Sequence, residues 1–257
     1  MKRVLTGLAL ALGAWALVFH APVQVFVAVL VLLAGLTLHE FYRIAAQSGL
    51  QPLSKAGLVA AVLWILVPNL DRGYFAIMLA LALLGAATLA HIAVDKILSS
   101  AAVTALGVLY VAGPVLASIL LHAVSPHWLV LVLITVAVGD SVAWAVGRLL
   151  GRHQLAPVLS PRKTWEGTAA SVLAGVLAGT VYAARFLESE ISLAAAAGLA
   201  LALNLAGQLG DLVESALKRS ANVKDSSSLL PGHGGLLDRL DGMLFAVPLA
   251  YGYLQLA

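Results

Sequence analysis

The chain has 257 residues, of which 61% are hydrophobic and only 11% charged, against about 25% charged in ordinary soluble domains. Mean hydropathy is +1.00, which excludes a soluble globular domain and leaves a polytopic helical membrane protein. The absence of cysteine excludes a disulfide framework, a thiol nucleophile and a cysteine metal site. In a membrane chain, a net charge of +3 points to anionic headgroups or an anionic substrate rather than to nucleic acid.

Met1-Lys2-Arg3 followed by an apolar run has the outline of a signal peptide. A second apolar run starts directly after His20-Ala21-Pro22, so a retained first span is expected. Apolar runs place spans at about 4–20, 23–42, 56–70, 74–94, 101–122, 127–147, 168–187, 192–214 and 243–257. A span needs roughly 20 apolar residues, about 17 at the short end. The third and ninth runs are short, so the expected fold is an all-α integral membrane bundle of eight or nine transmembrane helices. One transmembrane domain is read over 1–257, with N-terminal helices in 1–138 and a motif-bearing half in 139–257.

With the N-terminus inside and all nine runs spanning, thirteen Lys and Arg fall on the inner side and only Arg72 and Arg185 on the outer. That asymmetry obeys the positive-inside rule and puts the polar loops 148–167 and 215–242 on the same, cytoplasmic, side. No internal repeat is visible and the polar density sits at one membrane face. Both count against a transporter, which predicts inverted repeats and broken helices at the midplane.

Glu40 and Arg43 end the second run at a spacing that suits a local pair. His20, His39, His91, His122 and His127 show no metal-ligand spacing. Asp140, inside the sixth run, either serves function or hydrogen-bonds a neighbour such as Ser141. In Ser160-Pro161-Arg162-Lys163-Thr164-Trp165-Glu166-Gly167, two cations and a hydroxyl precede an apolar helix that Glu166 is placed to cap. The cations either hold a phosphate or anchor the helix at the interface beside Trp165.

Further on, Asp211, Glu214, Ser215 and Lys218 share one face of the eighth helix. Asp211 there either faces a watery, cation-binding cavity or pairs with Lys218. Asp238 and Asp241 follow Pro231-Gly232-His233-Gly234-Gly235. Three apart on a helix start, they repel unless a cation neutralises them, and oxygen-only ligands suit Mg²⁺. The alternative is a pair of capping carboxylates.

Taken together these segments resemble the CDP-diacylglycerol synthases, or phosphatidate cytidylyltransferases. The resemblance rests on Ser215, Lys218-Arg219, Lys224-Asp225, Pro231 to Gly235 and Asp238-Arg239-Leu240-Asp241, which match the family signature without gaps over 27 residues. Asp140-Ser141, Gly147-Arg148, the block 160–167 and Gly210-Asp211-Leu212 extend it to roughly 139–242. Gly242 departs from the family pattern, in which Ser often follows the last Asp.

The resemblance implies transfer of cytidylyl from CTP to phosphatidate with Mg²⁺, one ion or two. It implies a catalytic set of Asp211, Lys218, Arg219, Asp238 and Asp241, with Asp211, Asp238, Asp241 and Asp140 as metal ligands. Lys163, Lys218, Arg219, Lys224 and Arg239 would hold phosphates, Ser215 and His233 would touch substrate, and Lys224-Asp225 would lie over the nucleotide. It further implies a homodimer in contact with membrane lipid, set in a bacterial cytoplasmic membrane with the active site facing the cytoplasm.

Overall fold

The computed structural model describes residues 12–67, 71–90, 92–229 and 234–256. Residues 12–20 are helical (α1), and eight further helices follow in chain order. They are α2 (Val23–Gln47), α3 (Ser54–Leu66), α4 (Arg72–Leu89), α5 (Ile97–Val124), α6 (Pro126–Leu150), α7 (Trp165–Phe186), α8 (Leu193–Ser220) and α9 (Leu237–Leu256). Six of these (α2, α4, α5 with its preceding 3₁₀ turn, α6, α7 and α8) are long and apolar enough to cross a membrane. The protein is therefore an all-α, polytopic membrane chain in its class.

The short runs behave as their length dictates. α3 has 13 residues, about 20 Å at 1.5 Å per residue, against a hydrocarbon core of about 30 Å. α9 has 20 residues, but its first turn carries Asp238, Arg239 and Asp241, which shortens its apolar stretch to about 21 Å. At the other extreme, α8 has 28 residues, or about 42 Å. Its last turns, with Lys218 and Arg219, have length to spare beyond the hydrocarbon.

One feature departs from the all-helical expectation. Strands β1 (Gln154–Ala156) and β2 (Ser160–Thr164) form an antiparallel hairpin, with Gln154 opposite Thr164 and Ala156 opposite Ser160. The segment is too polar to enter lipid and too rich in Pro and β-branched residues to extend a helix.

By internal contacts the chain divides into two compact units, Met1–Leu116 with Leu217–Arg239, and Ala117–Ala216 with Leu240–Ala257. In the first unit the two halves of α2 differ. Its N-terminal half is exposed or half-buried apart from Phe26 and Ala34, whereas Thr37, Leu38, Glu40, Phe41, Tyr42, Ile44 and Ala45 are buried. Tyr42 donates a hydrogen bond to the Thr104 carbonyl at 2.8 Å, and the Leu53 N–H donates to Thr104 Oγ1 at 2.8 Å. These bonds tie α2 and the start of α3 to α5.

In the second unit α7 carries a stripe of small buried residues every fourth position: Gly167, Ser171, Gly175, Gly179 and Ala183. Its opposite face presents Leu173, Leu177 and Val181, all strongly exposed. Between membrane helices the hydrophobic effect supplies little, so association depends on close backbone approach and interhelical hydrogen bonds. Both occur here. A Cβ at Gly175 would come within 2.7 Å of the Thr135 carbonyl, and buried Asn204 of α8 donates to Ser171 Oγ at 3.2 Å. At the far end Trp128 Nε1 donates to Glu190 at 2.6 Å.

Candidate functional site

Two groups of charged residues stand out, one in each unit. In the first unit, Lys218 Nζ lies 2.7 Å from Asp238 Oδ1, with side chains only 14% and 9% exposed. The other oxygen, Asp238 Oδ2, accepts from the Gly235 N–H at 2.7 Å and the Ser226 N–H at 3.0 Å. Ser226 Oγ is also within 3.0 Å of it. Backbone N–H groups and the Ser226 hydroxyl thus converge on Oδ2, while Oδ1 meets Lys218.

The local chain is built for this convergence. Gly234 has φ of +78°, a left-handed conformation that costs a side-chain-bearing residue 1–2 kcal/mol or so. A Cβ at Gly235 would fall 2.0 Å from Ser226 Oγ and 2.5 Å from Glu40 Oε2, so only glycine fits there. The adjacent glycines thus serve to bring backbone N–H and carboxylate together.

Glu40 completes this group, and it is not paired with Arg43 in the manner that the spacing suggests. It is 4% exposed. Its Oε1 accepts from Ser227 Oγ at 2.5 Å and the Leu236 N–H at 3.1 Å. Its Oε2 accepts from Ser226 Oγ at 2.8 Å and the Leu237 N–H at 2.8 Å. One turn on, Arg43 donates to the Ser226 carbonyl. Asp238 is therefore balanced by Lys218 and backbone donors, and Glu40 by hydroxyl and backbone donors, as buried charge requires.

The second unit holds the other group. Lys163 Nζ of β2 is 2.7 Å from Asp211 Oδ2 of α8, and Asp140 of α6 lies within electrostatic reach of both. Asp140 is about 15 Å along α6 from its C-terminal end. Ser141 does not bind it but donates instead to the Ala137 carbonyl at 2.7 Å. Gly210, next to Asp211, packs against the backbone of Asp241, so closely that a Cβ there would be 2.4 Å from the Asp241 carbonyl oxygen. Asp241 Oδ1 also accepts from the Gly242 N–H at 2.8 Å.

The hairpin presents Lys163, and its anchoring is explicit. Thr164, rather than the expected Glu166, caps α7 by accepting from the Gly167 N–H at 3.2 Å. Glu166 instead holds His153 Nδ1 at 2.6 Å and accepts from the Arg152 and His153 N–H groups at 3.2 and 3.3 Å. It ties the hairpin entrance to the helix start.

Of the other residues singled out from sequence, Ser215 is buried in α8, and Arg219 donates to the Val223 carbonyl at 3.3 Å. Lys224, Asp225 and Arg239 are exposed. His233 lies outside the described residues. Sequence reasoning missed Ser226 and Ser227, and it read Glu40 only as a local partner of Arg43. The available signal was an acid close to the end of an apolar run, which is costly unless paired.

Among the described residues no three His, Asp or Glu side chains gather into a ready-made metal cage. Mg²⁺ does not demand one, since it usually keeps water and substrate phosphates and takes one or two carboxylates. The hard-oxygen donors Asp140 and Asp211 fit that requirement.

The chain is 42% identical over 123 residues to a phosphatidate cytidylyltransferase of Staphylococcus saprophyticus, covering 48% of this chain and 47% of that protein. It is 46% identical over 118 residues to a phosphatidate cytidylyltransferase of Mycobacterium bovis, covering 46% and 38%, and 40% identical over 125 residues to one of Staphylococcus aureus, covering 48% and 47%. These matches span less than half the length of each curated relative. The cytidylyltransferase family, by contrast, matches over the whole chain, residues 1–257. On that match, the chain belongs to the cytidylyltransferase family.

Proposed function

We propose that this chain transfers the cytidylyl group of CTP to phosphatidate, forming CDP-diacylglycerol and pyrophosphate. The observation that carries the reading is that Lys163, on the polar hairpin, lies within charge range of Asp211 and Asp140, on helices otherwise given over to lipid. Such a group is expensive near a membrane and suits a polyanionic substrate with its cation.

A phosphate oxygen of phosphatidate attacks the α-phosphorus of CTP, a new P–O bond forms, and the bond to the β-phosphate oxygen breaks to release pyrophosphate. The nucleophile is already an anion, so no strong general base is needed. What the protein must supply is orientation of two polyanions and stabilisation of charge in the transition state.

In this reading Lys163, Lys218, Arg219, Lys224 and Arg239 hold phosphate oxygens, while Ser215 and His233 contact substrate. Asp140 and Asp211, joined by Asp241, would hold Mg²⁺, which when bound neutralises the triphosphate and the departing pyrophosphate. Asp238 takes a different emphasis. Its oxygens are engaged by Lys218, Ser226 and Gly235, so it serves first to aim Lys218 and to shape the loop. Direct metal ligation by Asp238 would require it to release one of those donors. The site faces the cytoplasm of a bacterial inner membrane, where the positive-inside bias puts its loops, and the enzyme works as a homodimer.

The test is pyrophosphate release by purified detergent-solubilised protein given CTP and Mg²⁺, with phosphatidate or diacylglycerol as acceptor. Release that requires phosphatidate is expected. Release with neither acceptor, or CDP formation with diacylglycerol, would overturn the proposal.

A further inference from the structure

Glu40 is a buried acid to which the proposed chemistry assigns no task. It lies about 10 Å from the C-terminal end of α2 and 186 residues from its partner Ser226. A carboxylate with hydrogen-bond donors on both oxygens tolerates burial, and removing it strands those donors. The donors are not scattered. Two are the hydroxyls of Ser226 and Ser227, and two are the backbone N–H groups of Leu236 and Leu237 at the start of α9. One side chain thus fastens the residues after Lys224-Asp225 to the first turn of the helix that bears Asp238.

Ser226 links this fastening to the charged pair. Its single hydroxyl proton lies between Glu40 Oε2 at 2.8 Å and Asp238 Oδ2 at 3.0 Å. Its N–H goes to Asp238, and its carbonyl accepts from Arg43. Asp238 in turn holds Lys218 at 2.7 Å. Movement of Glu40 is therefore passed to the lysine through Ser226 and Asp238.

From this geometry we infer that Glu40, assisted by Arg43, is a positioning residue for the signature loop, setting where Asp238 and Lys218 stand during cytidylyl transfer. The inference rests on the proposed reaction. It adds a pair from the N-terminal half to machinery otherwise drawn from residues 139–242.

The test compares wild type with Glu40→Gln and Glu40→Asp in the full chain. Gln keeps the shape but offers an amide NH₂ where Ser and backbone donors converge, whereas Asp keeps the charge with one methylene less. Glu40→Gln should lower kcat by about 100-fold, as a misplacement near 1 Å can, with a much smaller change in KM for CTP. Glu40→Asp should recover part of the loss, which a purely space-filling role would not predict. Independently of activity, amide hydrogen exchange should quicken at 224–229 and 234–238 in Glu40→Gln and stay unchanged in α6 and α7.

Wild-type kinetics in Glu40→Gln would overturn the inference. So would an activity loss accompanied by faster exchange throughout α2 to α5, which marks general unfolding. If wild type itself transfers no cytidylyl, the functional reading falls, and exchange alone decides the clamp. Faster exchange confined to the loop supports it, and equal exchange overturns it.

Discussion

Lys218 meets its counter-charge in Asp238, twenty residues further along the chain, although Asp211 and Glu214 sit two turns and one turn behind it on α8. The choice follows from the loop: Gly234 and Gly235 turn the backbone so that Asp238 arrives beside the lysine. The two ion pairs, one in each unit, should respond differently to mutation. Lys218 and Asp238 are both less than 15% exposed, so Asp238→Asn leaves a buried ammonium poorly compensated. It should cost about 3–5 kcal/mol, as broken buried pairs do, and turnover should fall by at least about 100-fold. Thermal unfolding and steady-state kinetics on the same preparation would check both figures.

Lys163 and Asp211 are 22% and 35% exposed, where solvent screening leaves a pair about 1 kcal/mol or less. Lys163→Ala should therefore scarcely move the thermal midpoint yet lower kcat/KM for CTP by about 10- to 100-fold. A variant that unfolds early but turns over normally would show that the pair is structural. The type and spacing of these residues were legible in the sequence. Their pairing was not, because helical periodicity reports only neighbours on one helix. Glu40 acts across 186 residues, beyond the reach of any local pattern.

Among the elements, α7 states its packing most plainly. The Gly-Ser-Gly-Gly-Ala stripe at every fourth residue faces inward and the Leu-Leu-Val stripe faces out, the reverse of a soluble amphipathic helix. Gly175→Ala should cost about 1–3 kcal/mol by overpacking, since the added methyl would lie 2.5 Å from Asn204 Nδ2 and 2.7 Å from a backbone oxygen. Leu173→Ala, on the 74% exposed side, should stay within about 0.5 kcal/mol. Thermal unfolding in one detergent separates the two, and equal costs would contradict the assignment of faces.

The helices were legible because long apolar runs in membranes leave little alternative. The hairpin at 154–164 was not, since strands of three and five residues in a Pro-containing polar connector carry no alternation to read. It matters because it presents Lys163 while Thr164 caps α7. Thr164→Ala should cost about 1 kcal/mol through the lost cap.

For the molecule as a whole, charge asymmetry predicts orientation, and the lack of cysteine makes that easy to examine. Single variants Lys224→Cys and Glu188→Cys should react with a membrane-impermeant maleimide from opposite sides, Lys224→Cys from the cytoplasmic one. Labelling of both from one side would discard the proposed topology. The six long helices agree with the multi-pass reading, while the first run lies partly outside the described residues and the third and ninth are too short in apolar length to count alone.

The central claim is that the α-phosphorus of CTP, rather than its γ-phosphorus, ends on the lipid. The most direct measurement incubates purified protein, phosphatidate and Mg²⁺ with CTP labelled with ³²P at the α- or the γ-position, with and without chelator, and follows the label into extracted lipid. The account predicts lipid label from α-³²P-CTP only, abolished by chelator. Label entering lipid from γ-³²P-CTP, or from neither, would contradict it.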